Sequence, residues 1–386
     1  MDTVPVTLAP HDAPDWTALD RLMPCFAARA ADYDRSGDIA VDNLADLRDA
    51  GFLGLALPKA YGGQEIGLRT MLDIVSRIAR GDPSTALILS MQYLQSGAVV
   101  RSGRWPADVK AELFRSIAQD GALINALRVE PELGTPARGG LPATTVRHDG
   151  TTWRISGRKI FSTGSTALRW GVAWARTEGD APRVGQVLVP LDQPGVRIEK
   201  SWHQMGMRAT GSHTIIFEDV AIPERYLVNV NPPSAAPDDA VQLASWHAVV
   251  IGALYDGIAR AARDWLVQFL HDRIPTNLGT PLATLPRFQV LIGEIDAILL
   301  TNRALIDHAL AREESGEHAD SDAGLVKHLV TENAIAAVGK AVAAIGNPGL
   351  SQDNPLERHY RDVLCGRIHT PQGDSALGAA GRAALT

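Results

Sequence analysis

"TTWRISGRKIFSTG", residues Thr151–Gly164, decides the fold class of this 386-residue chain. It is a short run rich in β-branched and aromatic residues, punctuated by glycine, in which the apolar positions change to a period of two. The same texture extends outward through "RWGVAWARTE" (Arg169–Glu178), "RVGQVLVPL" (Arg183–Leu191), "GVRIEKSW" (Gly195–Trp202) and "SHTIIFEDVAI" (Ser212–Ile222). Strands this short, separated by Gly, Asp and Pro, predict a β-sandwich or barrel between Gly121 and Pro232.

Both flanks read as helical. On the N-terminal side, "NLADLRDAGFLGLALP" spaces Leu44, Leu47, Phe52 and Leu53 at helical intervals up to Pro58. Beyond it, "RTMLDIVSRIARGDPSTALILSMQYLQSGAVV" reads as two helices parted at Gly81-Asp82-Pro83, with Asp82 or Ser84 as a cap. On the C-terminal side, three long helical runs begin near Ala240, Pro286 and Ser321, and the tail adds at least one more. In the second, Leu291, Ile295, Ile298 and Leu305 share one face. The expected architecture is α+β and multidomain: an N-terminal helical domain over residues 1–120, the central β-domain over 121–232, and a C-terminal four-helix bundle over 233–386.

Composition narrows the function. A net charge of −7 argues against a nucleic-acid partner, which would need a surplus of Lys and Arg on one face. Two cysteines, Cys25 and Cys365, exclude a disulfide framework. The acidic, proline-containing N-terminus lacks a basic region followed by an apolar core, and no run of about 18 apolar residues occurs. A cytoplasmic protein with no membrane partner is expected. There is no G-x-G-x-x-G after a strand, no Walker motif, no H-E-x-x-H and no G-x-S-x-G, and no His, Cys or acid spacing suits a metal.

Six segments, in order, carry a family likeness: "GFLGLALPKAYGG", "VEPELGTPARGG", "RISGRKIFSTGS", "MGMRATGSHTIIFEDVAIP", "AAIGNPGL" and "ERHYRD". Together they resemble the acyl-CoA dehydrogenase superfamily, including its flavin-dependent monooxygenase branch, from about residue 30 to the end. The resemblance implies FAD, with FMN as an alternative, held between β-domain and bundle in a homotetramer or homodimer. It implies either an acyl-thioester or another small molecule as substrate.

The same resemblance assigns cofactor contacts. Phe161 stands where the family usually has a Trp against the flavin, and Thr163 where a hydroxyl bonds the ring. On a continuous strand these two would share one side. Gly134 and Thr135 match a Gly-Ser pair near flavin and thioester. Leu127, Arg128 and Val129 match residues at the ring edge, although the family commonly has a Thr where Val129 stands. Arg273 precedes a stretched form of an Arg-x-x-Phe-Gly signature whose Arg reaches the flavin pyrophosphate of a neighbouring subunit. Gly346 and Gly349 match a loop against the adenosine half.

The expected catalytic base is missing. A dehydrogenase of this family takes the substrate α-proton with a carboxylate, and such a group contributes about 10²–10⁴-fold. Counting from "YRD" reaches Thr370, or Gln372 if the register follows Gly373; neither is an acid. The alternative place on the first bundle helix, counted back from Gly252, holds Ser245 or Trp246. Asp374 is the nearest acid and reads either as a displaced base or as a helix N-cap. His247 and His369 are the titratable groups expected in the same cavity. The loss of the glutamate argues against a standard straight-chain acyl-CoA dehydrogenase. It leaves an altered dehydrogenase, a reduced-flavin-dependent monooxygenase, or a non-catalytic flavin- or thioester-binding protein.

Overall fold

The computed structural model describes residues 13–133, 140–232, 240–316 and 320–386. Five helices come first: α1 (Trp16–Ser36), α2 (Val41–Asp49), α3 (Leu68–Gly81), α4 (Pro83–Arg101) and α5 (Ala107–Asp120). Helix α2 stops well before Pro58, because Gly51 turns the chain with φ 77° into a 3₁₀ turn at Phe52–Gly54. The junction of α3 and α4 is capped by Asp82, whose carboxylate accepts from the Ser84 and Thr85 amides. Helix α3 is amphipathic, burying Leu68, Met71, Leu72, Val75 and Ile78. Helix α4 is apolar nearly all round and is buried accordingly. Its Gln92 accepts from the Ile124 amide at 2.8 Å and donates to the Ala122 carbonyl, tying the helices to the first strand.

The strands are β1 (Leu123–Leu127), β2 (Thr145–His148), β3 (Trp153–Lys159), β4 (Leu168–Thr177), β5 (Val184–Pro190), β6 (Val196–Glu199), β7 (Thr214–Ile222) and β8 (Asn229–Asn231). They join in one sheet of order β6-β7-β3-β2-β4-β5-β8, with β1 paired in parallel along the first half of β4. The sheet encloses its own core of Val146, Ile155, Ala173, Val187, Ile215, Phe217 and Val220. The opposite side of β4 packs Trp170 and Val172 on α5. Alternation along β4 thus serves two layers at once.

The C-terminal helices are α6 (Ala240–Asp272), α7 (Pro286–Glu314), α8 (Asp320–Ile345), the short α9 (Asn347–Leu350), α10 (Pro355–Leu364) and α11 (Gly373–Leu385). Helix α6 is the axis, packing on α3 as well as on α8. A Cβ at Gly257 would lie 2.6 Å from the Ser76 carbonyl oxygen, so glycine permits that approach. Asn302 of α7 donates to Asp256 of α6 and accepts from Asn333 of α8, both at 3.0 Å. A polar chain across three helices fixes their mutual register. No described helix is long and apolar enough to cross a membrane.

One buried ion pair joins the end of β1 to the sheet. Lys159 Nζ donates to Glu130 Oε1 at 2.6 Å, and Glu130 also accepts from the Thr144 hydroxyl and the Ala143 and Thr144 amides. Burial alone pushes the Glu130 carboxyl up, but Lys159, Thr144 and Ala143 outweigh it and hold it below its usual range. Lys159→Met, which strands the carboxylate, is expected to cost about 3–5 kcal/mol in chemical denaturation. Adding Glu130→Gln to that variant should restore much of the loss.

Candidate active site

The site is built where β3 ends against the bundle. The chain leaves the ladder at Lys159, and Phe161 adopts φ 57°. The next amides bond to a second loop: Ser162 donates to the His213 carbonyl at 3.1 Å and Gly164 to that of Thr210 at 2.9 Å. Phe161 and Thr163 therefore do not lie on one side of a strand, because those cross-loop bonds replace the ladder. Phe161 is 56% exposed, its ring edge-on to Trp202 with centroids 6.1 Å apart. An aromatic ring left this open offers an apolar wall to a flat ligand.

Thr163 is held through its hydroxyl. Its Oγ1 lies 3.0 Å from Ser212 Oγ, which lies 2.8 Å from Thr210 Oγ1, which in turn donates to the Met207 carbonyl at 2.8 Å. The opposite lip comes from the residues after β1. Arg128 is accessible, with its guanidinium 5.4 Å from the Trp174 ring, and no described carboxylate pairs with it. The protein around it lowers its pKa by desolvation. Val129 is half-buried and accepts from the Ile160 amide at 3.0 Å. Leu127, expected at the ring edge, is instead turned into the β-core, because alternation along β1 sends it to the face opposite Arg128.

The tail turn between α10 and α11 is linked to this rim through His247, on which both the Thr370 backbone and the Arg128 charge act. Thr370 is exposed and Gln372 half-buried, its amide reaching back to the Ile368 carbonyl at 3.5 Å. His369 lies against Tyr255 with ring centroids 5.8 Å apart. His247 of α6 hydrogen-bonds to the Thr370 backbone. Lys327 of α8, 1% exposed, donates to the carbonyls of His369 at 2.7 Å and Pro371 at 3.1 Å. Three successive residues of the turn are thus tied, from two different helices.

Electrostatically this corner is cationic. Burial lowers Lys327 to about 8. Burial lowers His247 to about 4, helped by the charges of Lys327 and Arg128 and opposed by its bond to Thr370. His369 falls to about 3, again through burial first and then His247 and Lys327. Both imidazoles are neutral at pH 7, able to donate from one ring nitrogen and accept at the other.

Other expected residues lie elsewhere. Asp374 is exposed in the first turn of α11, whose N-cap is Gln372, so it neither caps the helix nor enters the turn's interior. Ser245 is half-buried, and Trp246 is buried beneath the Arg101 guanidinium, 4.4 Å from its ring. Arg273 is exposed just past the end of α6, roughly 39 Å from His247 at the helical rise per residue. Gly346 (φ 65°) ends α8, and a Cβ on Gly349 would meet the Val342 carbonyl oxygen at 2.7 Å. Gly134 and Thr135 lie outside the described residues.

Lys327 was missed because lysine is usually read as solvated. The signal was nonetheless present: it sits four residues after Ala323 and seven before Ala334, inside the buried stripe of α8. As a whole, the set suits a flavin: an open aromatic wall, a fixed hydroxyl and, at the rim, a guanidinium that no described carboxylate pairs.

Known proteins resemble this chain along most of its length. Three family models match: acyl-CoA dehydrogenase N-terminal domain over residues 22–119, middle domain over 128–220 and C-terminal domain over 249–372. "Putative acyl-CoA dehydrogenase YdbM" of Bacillus subtilis is 36% identical over 365 residues, 93% of each chain. The L-evernosamine nitrososynthase of a Micromonospora species is 28% identical over 376 residues, covering 91% of this chain and 84% of that one. The solved structure of KijD3 with FMN and a dTDP-linked amino sugar superposes with a TM-score of 0.82 at 26% identity, covering 98% and 97% of the two chains.

The depressed histidines tie stability to pH with a definite sign. Their folded pKa values lie below the unfolded 6.5, so their contribution is complete above 6.5 and is lost as pH falls toward 4 and 3. Between pH 6.5 and 4, His369→Gln should lose less unfolding free energy than the parent protein, measured by urea titrations at several pH values.

Proposed function

The chain belongs to the acyl-CoA dehydrogenase family, and from that premise we propose that it is a flavin-dependent oxidoreductase but not a straight-chain acyl-CoA dehydrogenase. The observation that carries this reading is the make-up of the tail turn. Thr370 and Gln372 occupy it, Asp374 is exposed on α11, Lys327 donates to two of its carbonyls, and the nearby carboxylate of Glu332 is already paired with Arg367. A carboxylate is what α-proton abstraction requires, and a cationic corner with neutral imidazoles is a poor substitute for one.

Within that class, a monooxygenase using reduced flavin and O₂ is the reading this site favours. Bound reduced flavin supplies two electrons to O₂, one oxygen atom passing to the substrate and the other leaving as water. FAD or FMN would rest against Phe161, with Thr163 and Arg128 at its polar edges. His247 and His369 would hold or deliver protons at their ring nitrogens, and Arg128 and Lys327 would favour any negative charge that develops. The nitrososynthase relative and the FMN complex of KijD3 support this subtype. A second reading, a dehydrogenase with a displaced base acting on an unusual acyl thioester, draws support from the name of the 36% relative. Arg273, together with Val290 and Leu300 exposed on α7, favours a homodimer or homotetramer.

An anaerobic titration of the flavin-loaded protein separates the two. Butyryl- or octanoyl-CoA should leave the flavin absorbance unbleached, whereas Thr370→Glu should permit bleaching. Bleaching of the parent protein at ordinary enzymatic rates would overturn the reading, and its loss in Asp374→Asn would then identify the displaced base.

A further inference from the structure

The hydroxyl chain behind Thr163 has a direction. A hydroxyl carries one hydrogen and two acceptor positions. Thr210 Oγ1 faces the Met207 carbonyl, which can only accept, so its hydrogen is committed there. The 2.8 Å contact between Thr210 and Ser212 must then be donated by Ser212, which commits the Ser212 hydrogen. The 3.0 Å contact between Ser212 and Thr163 is left to be donated by Thr163. Every hydrogen in the chain points away from the cleft. Thr210 is fully buried and Ser212 is 4% exposed, so water has no ready access to the links that set this order. Thr163 is half-buried, and it receives no hydrogen from the chain.

We propose that this relay makes Thr163 an obligate hydrogen-bond acceptor toward the cleft, so that the site selects a ligand ring bearing an N–H over the same ring lacking it. For a flavin, the ring nitrogen that gains a proton on reduction is an acceptor in the oxidised form and a donor in the reduced form. An acceptor-only threonine bonds the reduced form and opposes the oxidised one. The inference rests on the reading that a flavin ring lies against Phe161 and Thr163, and it adds which redox state the protein prefers and the residues that set that preference.

The test is equilibrium binding of FAD and FMN, oxidised by fluorescence quenching and reduced by anaerobic ultrafiltration under dithionite. The unmodified protein should bind reduced flavin about tenfold more tightly or better. Ser212→Ala frees the Thr163 hydrogen, so oxidised flavin should gain about three- to tenfold while reduced flavin changes little. Thr210→Val releases the same hydrogen by one more step and should act in the same direction, which keeps the test decisive should Ser212→Ala fail to fold. Thr163→Val should instead erase the preference by weakening the reduced form. Equal affinity for both states, or a preference unmoved in Ser212→Ala and Thr210→Val, would overturn the relay while leaving the flavin reading intact. If neither redox state bound, the flavin reading would be overturned and the relay with it.

Discussion

The Glu130–Lys159 pair is the constraint on which the cleft depends. Both side chains are buried, so neither charge has water to fall back on, and the surrounding donors are arranged to complete the carboxylate. Lys159 is the last residue of β3 and Glu130 lies three residues beyond β1. Joining them brings the chain after β1 alongside the chain after β3, which the Ile160-to-Val129 bond continues. Arg128 on one side and Phe161 on the other are therefore lips of one opening. Their side chains differ in chemistry, but their placement has a common cause.

The far wall is set by the bundle through a different interaction. Lys327 offers an ammonium with three hydrogens to a segment whose carbonyls would otherwise be unpaired in a poorly hydrated corner. Among the described residues no acid pairs with it directly; Glu332 raises its pKa, and burial prevails. The positive charge left over adds to burial, the larger cause, in keeping His247 and His369 neutral at physiological pH.

Much of this was legible in sequence. The order of helices, strands and helices was readable because strands and helices bury their apolar residues at different periods. The Asp82 cap was readable because capping is local. The fine placement of the site was less so, since each discrepancy comes from contacts between distant segments. Phe161 leaves the strand because Ser162 and Gly164 bond to a loop some fifty residues away. Leu127 turns inward because pairing with β4 sets its phase. Asp374 looked like a cap, but α11 begins one residue before it. Lys327 was readable by periodicity, but only to a reader willing to bury a lysine.

The way the tail turn is held also explains how its side chains can depart from the family's pattern. The bonds from Lys327 end on backbone carbonyls, and the bond from His247 ends on the Thr370 backbone, so none requires a particular side chain at 370 or 372. Thr370 is exposed and is not needed to fill a core. Replacing a carboxylate there leaves the turn's geometry intact while changing what it can do to a proton. In a corner where Lys327 and Arg128 already supply positive charge, an introduced glutamate would be stabilised in its ionised form. The geometry of the turn is therefore set from behind by α6 and α8, independently of the side chains at 370 and 372.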